Sequence, residues 1–307
     1  MWGLFYFRTS WLLVCYYGMS SVIQVQGLTK KFGHQFTAVN DLSFSVNKGD
    51  VYGFLGQNGA GKSTTIRMLL SLIEPTAGEI EIFGLPLSTN RSTIMQKVGA
   101  VIEKPAMYEY LTAYQNLKIF SALSGVSKSR VQLLNELDVV GLATRAHDLV
   151  RTFSQGMKQR LAIAMAMVND PELILLDEPT NGLDPQGIAD IRNLILQLSR
   201  VQGKTVLVSS HLLSEIEQVA TRLIIIDKGC KLVEGDSKDL FDKRKTVVAI
   251  QTLNNIEATK QLMQTSWASH ILIDRSSDNE ICMQLDEKLL PTLHKNLVEM
   301  GIGVLSV

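Results

Sequence analysis

The sequence predicts an α/β fold built on a mainly parallel β-sheet, followed by a second, smaller domain. Short apolar runs alternate with stretches of helical periodicity, and one apolar run leads through a Gly-rich turn directly into a helix. A charged tetrad at residues 242–245 marks a change in composition and a plausible linker. A chain of 307 residues with 46% apolar side chains is long and apolar enough to bury a sizeable core.

The elements of the larger domain follow from local pattern. Alternation of apolar and polar residues predicts half-buried strands at 21–26 and 42–46, and short apolar runs predict buried ones. Further strands are predicted at 51–55, 78–83, 173–176, 206–209 and 223–227. Helical segments are predicted from Lys62 to a stop at Pro75, within 105–153, and at 188–198 and 212–220.

Six short elements are predicted beyond the linker, in a domain at 246–307. They are strand 246–252, helix 255–265, strand 269–274, strand 279–285, helix 286–299 and strand 302–307. The order βαββαβ is typical of the ferredoxin-like arrangement, so we expect a small accessory domain of that type.

Residues 1–18 form an apolar and aromatic extension. A transmembrane helix needs about 20 mainly apolar residues, and the second apolar run here fades after seven. No small-residue cleavage site of a signal peptide follows it. We expect the natural protein to start at Met19, with residues 1–18 upstream of that start; a weak membrane anchor is the alternative.

Composition excludes other classes of protein. The 30 basic and 30 acidic side chains give a net charge of zero, which provides no electrostatic footprint for a nucleic-acid partner. Three scattered cysteines are too few for a disulfide framework or a zinc site. A metal, if bound, is expected to arrive with a substrate.

The Gly-rich turn matches the phosphate-binding pattern G-x-x-x-x-G-K-[ST] between a strand and a helix. Its glycines let backbone N–H groups point at phosphate oxygens, and the helix start adds a positive dipole end. Lys62 is predicted to reach the β- and γ-phosphates, the Ser63 hydroxyl to bind Mg²⁺, and Thr64 to contact the α-phosphate. The predicted binding residues of this turn are Gly56, Asn58, Gly59, Ala60, Gly61, Lys62, Ser63 and Thr64.

Two acidic residues, Asp177 and Glu178, follow the apolar strand at 173–176. Ligand groups in α/β folds lie at the carboxyl ends of strands. Asp177 is therefore predicted to hold Mg²⁺, and Glu178 to polarise the water that attacks the γ-phosphate. Alone, the pair is also explained as a solvated strand end, but together with the phosphate-binding turn it predicts a hydrolytic site.

Three further segments resemble those of the ATP-binding subunits of ABC transporters. Residues 152–160 are similar to the family signature L-S-G-G-Q, residues 181–184 resemble the D-loop, and residues 209–211 resemble the switch-histidine loop. The likeness covers about residues 22–240 in the family's order. It implies a P-loop ATPase domain of the ABC type at 19–241. An antiparallel β-subdomain, a helical subdomain at about 105–155, and ATP with Mg²⁺ as cofactors are implied as well.

In this family two such domains enclose two ATP molecules head to tail, which implies a second ATPase subunit as partner, identical or different. The Ser154 hydroxyl and the Gly156 N–H would close over the γ-phosphate held by the other subunit. Asp184 would couple the two protomers, and His211 would contact the γ-phosphate and hold the attacking water. Ser154 is also explained as a helix N-cap, and the two roles are compatible.

Two positions vary the family pattern. Phe32 falls where the family places an aromatic ring under adenine, and stacking needs only a flat π-face; a core Phe is the alternative. Glu103 occupies the Q-loop position, where the family has Gln. Its carboxylate keeps an oxygen for Mg²⁺ but loses the amide donor and adds a negative charge, so we expect a tuned coupling loop.

With Glu103 and its altered signature, the sequence resembles the bacterial branch of the family that exports bacitracin and lantibiotics. The resemblance implies an ATPase subunit at the cytoplasmic face of the bacterial membrane. It would power a separate permease that exports a peptide antibiotic, a lantibiotic or another drug-like amphiphile, and so confer antibiotic resistance.

Two alternatives stay open. A soluble ABC ATPase without a permease usually carries a long coiled-coil insertion, and only 92 positions separate Lys62 from Ser154 here. A non-hydrolysing, nucleotide-dependent regulator is disfavoured by the presence of both Glu178 and His211.

Overall fold

The computed structural model describes residues 21–33, 36–102, 107–242, 246–273, 276–277 and 280–306. The expectations for residues 1–18 and for Glu103 lie outside this set. The chain divides into two compact units, with the boundary between Ser237 and Lys238. Within the described residues, no helix combines the length and the apolar character needed to cross a bilayer.

The first unit alternates strands and helices. In chain order its elements are β1 (Ser21–Phe32), β2 (Phe36–Asn47), β3 (Val51–Leu55), α1 (Lys62–Leu69), β4 (Ala77–Ile82), β5 (Leu85–Pro86), α2 (Leu87–Met95), β6 (Val98–Val101), α3 (Ala113–Leu123), α4 (Arg130–Val139), α5 (Gln155–Met167), β7 (Leu173–Leu176), α6 (Pro185–Arg200), β8 (Thr205–Ser210), α7 (Leu213–Val219), β9 (Arg222–Asp227) and β10 (Cys230–Asp236). Helix α8 (Ser237–Leu240) spans the boundary.

A six-stranded sheet with the order β10-β9-β3-β8-β7-β6 forms the centre of this unit, as far as the described residues show. All neighbouring strands in it run parallel except β10, which pairs antiparallel with β9. Every residue of β3, β7 and β8 is buried, as expected for parallel strands covered by helices on both faces. The predicted α/β fold with a mainly parallel sheet is confirmed.

An antiparallel sheet with the order β2-β1-β4-β5 packs as a second layer of the unit's core. Strands β1 and β2 extend well beyond the predicted 21–26 and 42–46. A register shift between Val25 and Leu28, together with positive φ at Gly27 and Asp41, interrupts the alternation on which the shorter prediction rested. The structure also adds β5, α2, β6, β10 and the short helix α8, which the sequence pattern did not predict.

Glycine is required where two backbones of this sheet come together. Gly78 on β4 has φ +89°, and a Cβ added there would lie 2.4 Å from the carbonyl oxygen of Gly27 on β1. Gly84 also has positive φ, +71°, but a Cβ there would meet no atom within 4 Å. Only the first position therefore combines backbone strain with a steric clash.

A polar cluster joins both sheets of the first unit. The Tyr52 hydroxyl on β3 donates to Glu234 Oε1 on β10 at 2.7 Å, and the Ser45 N–H on β2 donates to the same oxygen at 3.4 Å. Burial raises the pKa of Tyr52 well above its usual value, and the nearby Glu234 carboxylate raises it further. The cluster lies near the amino end of β3 and ties β3 and β10 of one sheet to β2 of the other.

Helices α3 and α4 each begin with a capping box, in which an N-cap hydroxyl and a glutamine three residues later exchange hydrogen bonds with the backbone. The pairs are Thr112 with Gln115 and Ser129 with Gln132. The buried face of α4 carries Leu133 and Leu137, whereas Val131 in its first turn is 67% exposed.

The second unit contains β11 (Thr246–Thr252), α9 (Asn255–Leu262), β12 (Ile281–Leu285), α10 (Leu290–Glu299) and β13 (Val304–Ser306). Its antiparallel sheet has the order β12-β11-β13. The predicted strand at 269–274 is wrong, because Ser266–His270 form a 3₁₀ helix and, among the described residues of that stretch, Ile271 pairs with Met283 through an isolated bridge. Burial of the Trp267 ring in the core fixes this turn. The ferredoxin-like assignment stays a prediction.

Candidate active site

Three loops of the first unit meet because the strands before them are parallel neighbours. Leu55 at the end of β3 lies opposite Ser210 at the end of β8, and Leu176 at the end of β7 lies opposite Val208 of the same strand. The carboxyl ends of parallel strands share one edge of a sheet. The phosphate-binding turn, the acidic pair and the switch histidine therefore emerge at that edge.

The turn after β3 has the geometry of an anion cradle. Helix α1 starts from Gly61 in a left-handed conformation, φ +104°, without a side-chain cap and without an acidic residue in its first turn. A Cβ at Gly61 would lie 2.6 Å from the Ala38 carbonyl oxygen, so the backbone needs glycine here. The positive end of α1 is thus left to a bound anion, and phosphate oxygens fit it.

A cleft of about 270 Å³ opens above this turn. It is lined by Phe36, Ala38, Asn58, Gly59, Gly61, Lys62, Ser63, Thr64 and Glu178. Of the predicted phosphate-binding residues, Gly56 and Ala60 lie buried beneath the cleft instead; a Cβ at Gly56 would be 2.6 Å from the Ile226 carbonyl oxygen. The structure thus brings together the side chains of the turn that the sequence predicts to bind phosphate.

Lys62 is the buried cation of the site, with 4% of its side chain exposed. Its Nζ donates to the carbonyl oxygens of Gly56 at 2.7 Å and Gln57 at 3.1 Å, and lies 3.1 Å from Glu178 Oε1. These partners hold the ammonium at the base of the cleft.

Glu178 bridges Lys62 and the switch histidine. Its second oxygen, Oε2, lies 3.1 Å from His211 Nδ1. Its backbone has φ +47°, an uncommon conformation for a residue with a side chain, and strain of this kind is concentrated at functional sites. The carboxylate that the sequence predicts as the catalytic base therefore sits between the other two predicted catalytic residues.

Ser209 holds the two acidic residues from below. Its fully buried hydroxyl donates to Asp177 Oδ1 at 2.6 Å and accepts the backbone N–H of Glu178 at 2.9 Å. Ser209 belongs to the segment that resembles the switch-histidine loop, but the sequence analysis gave it no role of its own. The available signal was a hydroxyl residue at the end of an otherwise apolar strand beside the predicted acidic pair.

Glu215 connects the loops that follow β7 and β8. Its Oε2 accepts hydrogen bonds from Thr180 Oγ1 at 2.7 Å and from Ser210 Oγ at 2.8 Å. Sequence analysis missed this residue too, since nothing local links a helix residue of α7 to Thr180. The contact ties together the two loops that carry Glu178, two residues before Thr180, and His211, which directly follows Ser210.

Oxygen donors for a divalent cation are present. The Asp177 carboxylate is 6% exposed and Ser63 is half-buried beside Lys62. A carboxylate and a hydroxyl are hard ligands of the kind that Mg²⁺ takes. Across the described residues no three His, Cys, Asp or Glu side chains converge as a metal site of their own.

Ser154, Gly156 and Asp184 form a second cluster at the starts of two helices. Ser154 caps α5 by accepting the Met157 N–H at 3.3 Å, and Asp184 caps α6 by accepting the Gly187 N–H at 3.1 Å. Gly156 lies against Gly187, since a Cβ on Gly156 would be 3.8 Å from its Cα. Ser154 is therefore a helix N-cap within one chain, and this role is compatible with a contact to the nucleotide of a second subunit.

Phe32 ends β1 and is 45% exposed, so it is not a core residue. It does not line the cleft above the phosphate-binding turn; Phe36, its cross-strand partner, does. The sequence analysis did not consider Phe36.

Comparison with known proteins agrees with this site. The family model described as "ABC transporter" matches residues 39–181. The chain is 42% identical to the bacitracin transport ATP-binding protein BcrA of Bacillus licheniformis, over 94% of this chain and 93% of that protein. It is 40% identical to the lantibiotic transport ATP-binding protein SrtF of Streptococcus pyogenes, over 73% of this chain and all of that protein.

Solved structures give the same result. A dimeric ATP-binding cassette in a post-hydrolysis state, bound to ADP and phosphate, superposes with a TM-score of 0.63 at 27% identity. The match covers 70% of this chain and 98% of that one. The ATP-binding subunit of an ABC transporter superposes with a TM-score of 0.63 at 29% identity, over 72% and 92%. The chain belongs to the ATP-binding proteins of ABC transporters and is an ATP-hydrolysing enzyme of the ABC type.

Proposed function

We propose that this ATPase powers a separate membrane permease that exports a peptide antibiotic, a lantibiotic or another drug-like amphiphile. Two observations support the proposal: the convergence of Lys62, Glu178 and His211 at one sheet edge, and the transport of bacitracin and lantibiotics in the names of relatives at 40–42% identity. In this role the chain would sit at the cytoplasmic face of the bacterial membrane, held there by the permease.

Hydrolysis would use the three converging side chains. The γ-phosphate of ATP would take the place of the Glu178 carboxylate beside Lys62, since the ammonium is a better partner for the more highly charged group. Glu178, whose Oε2 lies 3.1 Å from His211 Nδ1 in the structure, would then accept a proton from the attacking water. His211 would orient that water and contact the γ-phosphate.

Mg²⁺, when bound, would neutralise charge on the β- and γ-phosphates, with Ser63, Asp177 and the Q-loop residue Glu103 as its protein ligands. Asp177 is suited to this because Ser209 already occupies one of its oxygens and fixes the carboxylate plane. Phe32 would contribute to the adenine site from the end of β1.

A second ATPase subunit would complete each nucleotide site. Ser154 and Gly156 lie at the N-terminus of α5, a helix of 13 residues without an acidic residue in its first turn. That end favours an anion, and the γ-phosphate on the partner subunit is the anion we propose for it. Asp184, which caps the neighbouring helix, would couple the two protomers.

Purification of the tagged chain from native membranes tests the permease. We expect a multi-span membrane protein to co-purify, and cells carrying both proteins to tolerate more bacitracin or lantibiotic than cells in which Glu178→Gln replaces the native chain. Recovery of soluble partners alone, from a preparation with confirmed ATPase activity, would contradict the transport function and favour an ABC ATPase that works without a permease. ATP binding without any turnover would instead favour a nucleotide-dependent regulator.

A further inference from the structure

Glu215 on α7 accepts two hydrogen bonds on one carboxylate oxygen. Its Oε2 receives the hydroxyl proton of Thr180 at 2.7 Å and that of Ser210 at 2.8 Å. The two donors come from different loops, since Thr180 follows β7 and Ser210 is the last residue of β8. Ser210 is 3% exposed, and Thr180 and Glu215 are half-buried, so bulk water competes poorly for these contacts. One oxygen therefore joins the loops that carry Glu178 and His211.

The contact with Ser210 holds the backbone on both sides of His211. Ser210 precedes His211, and the Ser210 hydroxyl oxygen also accepts the Leu212 N–H at 3.0 Å. Because the hydroxyl has a single proton and Glu215 takes it, a lone pair is left facing that N–H. The His211 side chain is itself 33% exposed, so its position depends on this backbone turn more than on packing.

The contact with Thr180 holds the turn that begins at Glu178. The Asn181 N–H donates to the Glu178 carbonyl oxygen at 3.1 Å, which closes a turn of four residues. Glu178 has φ +47°, an uncommon conformation that persists only where surrounding contacts enforce it. Thr180 is the third residue of this turn, and its hydroxyl anchors the turn to α7 through Glu215.

We propose that Glu215 is a positioning residue for ATP hydrolysis. Its Oε2 holds the two loops at a fixed spacing, so that Glu178 and His211, whose Oε2 and Nδ1 atoms lie 3.1 Å apart, face the same reacting phosphate. Glu215 acts through these loops and not by touching the nucleotide. Misplacement of reacting groups by about 1 Å can slow a reaction by about a hundredfold, so the spacing matters for the rate. This inference rests on the proposed roles of Glu178 as base and His211 as the residue that holds the attacking water.

A purely structural role for Glu215 is the alternative. Glu215 lies in the first turn of α7, where a negative charge stabilises a helix through its dipole. That role needs the charge, whereas the positioning role needs an oxygen that accepts two hydrogen bonds. Glutamine separates the two roles, because its amide oxygen accepts hydrogen bonds and carries no charge.

Steady-state ATP turnover of the full chain with Mg²⁺, together with urea unfolding, tests the proposal. Glu215→Ala should lower kcat by about tenfold or more and change KM for ATP by less than about twofold, because the phosphate-binding turn is untouched. Glu215→Gln should keep kcat within about threefold of wild type. Glu217→Gln removes an exposed carboxylate from the same helix and should leave both parameters unchanged.

Thr180→Val tests whether Glu215 acts through the loops. It removes one of the two donor hydroxyls and nearly keeps the shape of the side chain. It should lower kcat in an otherwise wild-type chain but cause no further fall in Glu215→Ala, where the contact is already lost. If Glu215→Ala does not fold, Thr180→Val and Glu215→Gln still test the proposal.

Three results would overturn the proposal while leaving Glu178 as the base. One is a wild-type kcat in Glu215→Ala, whatever its stability. Another is an equal loss of kcat in Glu215→Gln and Glu215→Ala, which would assign the effect to the charge. The third is a loss in Thr180→Val that adds in full to that of Glu215→Ala. A wild-type chain that binds ATP without turnover, or a Glu178→Gln variant that hydrolyses ATP at the wild-type rate, would instead overturn the proposed function on which the inference rests.

Discussion

Replacing Ser209 by alanine removes the hydroxyl that joins the two acidic residues at the end of β7. In the structure this hydroxyl donates to the Asp177 carboxylate at 2.6 Å and accepts the Glu178 N–H at 2.9 Å. Ser209 is fully buried and Asp177 is 6% exposed, so water would not readily replace either hydrogen bond. The variant therefore leaves a carboxylate without one donor and a backbone N–H without its acceptor.

Both losses are expected to be large for a single hydroxyl. A hydrogen bond to a charged group contributes about 1.5–3 kcal/mol, and a buried polar group left unsatisfied costs about 1–3 kcal/mol. Because relaxation around the alanine recovers part of each, we expect Ser209→Ala to lower the free energy of unfolding by about 3 kcal/mol. The matched control is Ser199→Ala, which removes one hydrogen bond of 3.1 Å from a buried serine to the neutral Gly49 carbonyl and should cost about 1 kcal/mol.

Equilibrium urea unfolding followed by far-UV circular dichroism measures both variants. ATP turnover supplies a second readout. Without the Ser209 hydroxyl, the Glu178 N–H loses its hydrogen bond, so the Glu178 side chain is no longer held in position for catalysis. We expect turnover to fall in Ser209→Ala and to stay near wild type in Ser199→Ala. A Ser209→Ala variant that is no less stable than Ser199→Ala and equally active would refute the argument that this hydroxyl positions the acidic pair.

Three further predictions test other parts of the fold. Because burial raises the pKa of Tyr52, the unfolded state releases the phenol proton first, so wild-type stability should fall as pH rises above about 10, and urea unfolding of Tyr52→Phe should show a shallower fall. Gly78→Ala should lower the melting temperature far more than Gly84→Ala, since both strain the backbone by about 1–2 kcal/mol but only the first places its Cβ 2.4 Å from a carbonyl oxygen. Ser154→Ala and Ser129→Ala each remove a helix N-cap and should cost about 1 kcal/mol in urea unfolding, whereas only Ser154→Ala should slow ATP turnover; equal turnover would contradict the role of Ser154 at the partner's nucleotide.

The features of this molecule that could be predicted from the sequence depend on residues close together in the chain. The turn from β3 to α1 needs glycine at positions where the sequence has glycine. The unbroken apolar run before Asp177 predicts a buried strand, and the structure has one there. Both features are present in the structure because local sequence preference and tertiary packing favour the same conformation there.

What the sequence could not predict depends on contacts between distant segments. Ser209 reaches Asp177 across 32 positions and Glu215 reaches Thr180 across 35, and both contacts exist only because β7 and β8 are neighbours in register. The predicted strand at 269–274 failed because core packing of Trp267 outweighed a short β-like pattern.

Glu178→Gln tests most directly the proposal that Glu178 is the base of an ATPase that works as a dimer. Light scattering after gel filtration with Mg²⁺ and ATP should show a stable dimer for this variant, and its turnover should drop by at least about a hundredfold. Glu172→Gln, which alters an exposed ion pair with Lys97, is the control and should hydrolyse ATP at the wild-type rate. A Glu178→Gln variant that also turns over at the wild-type rate would contradict the account.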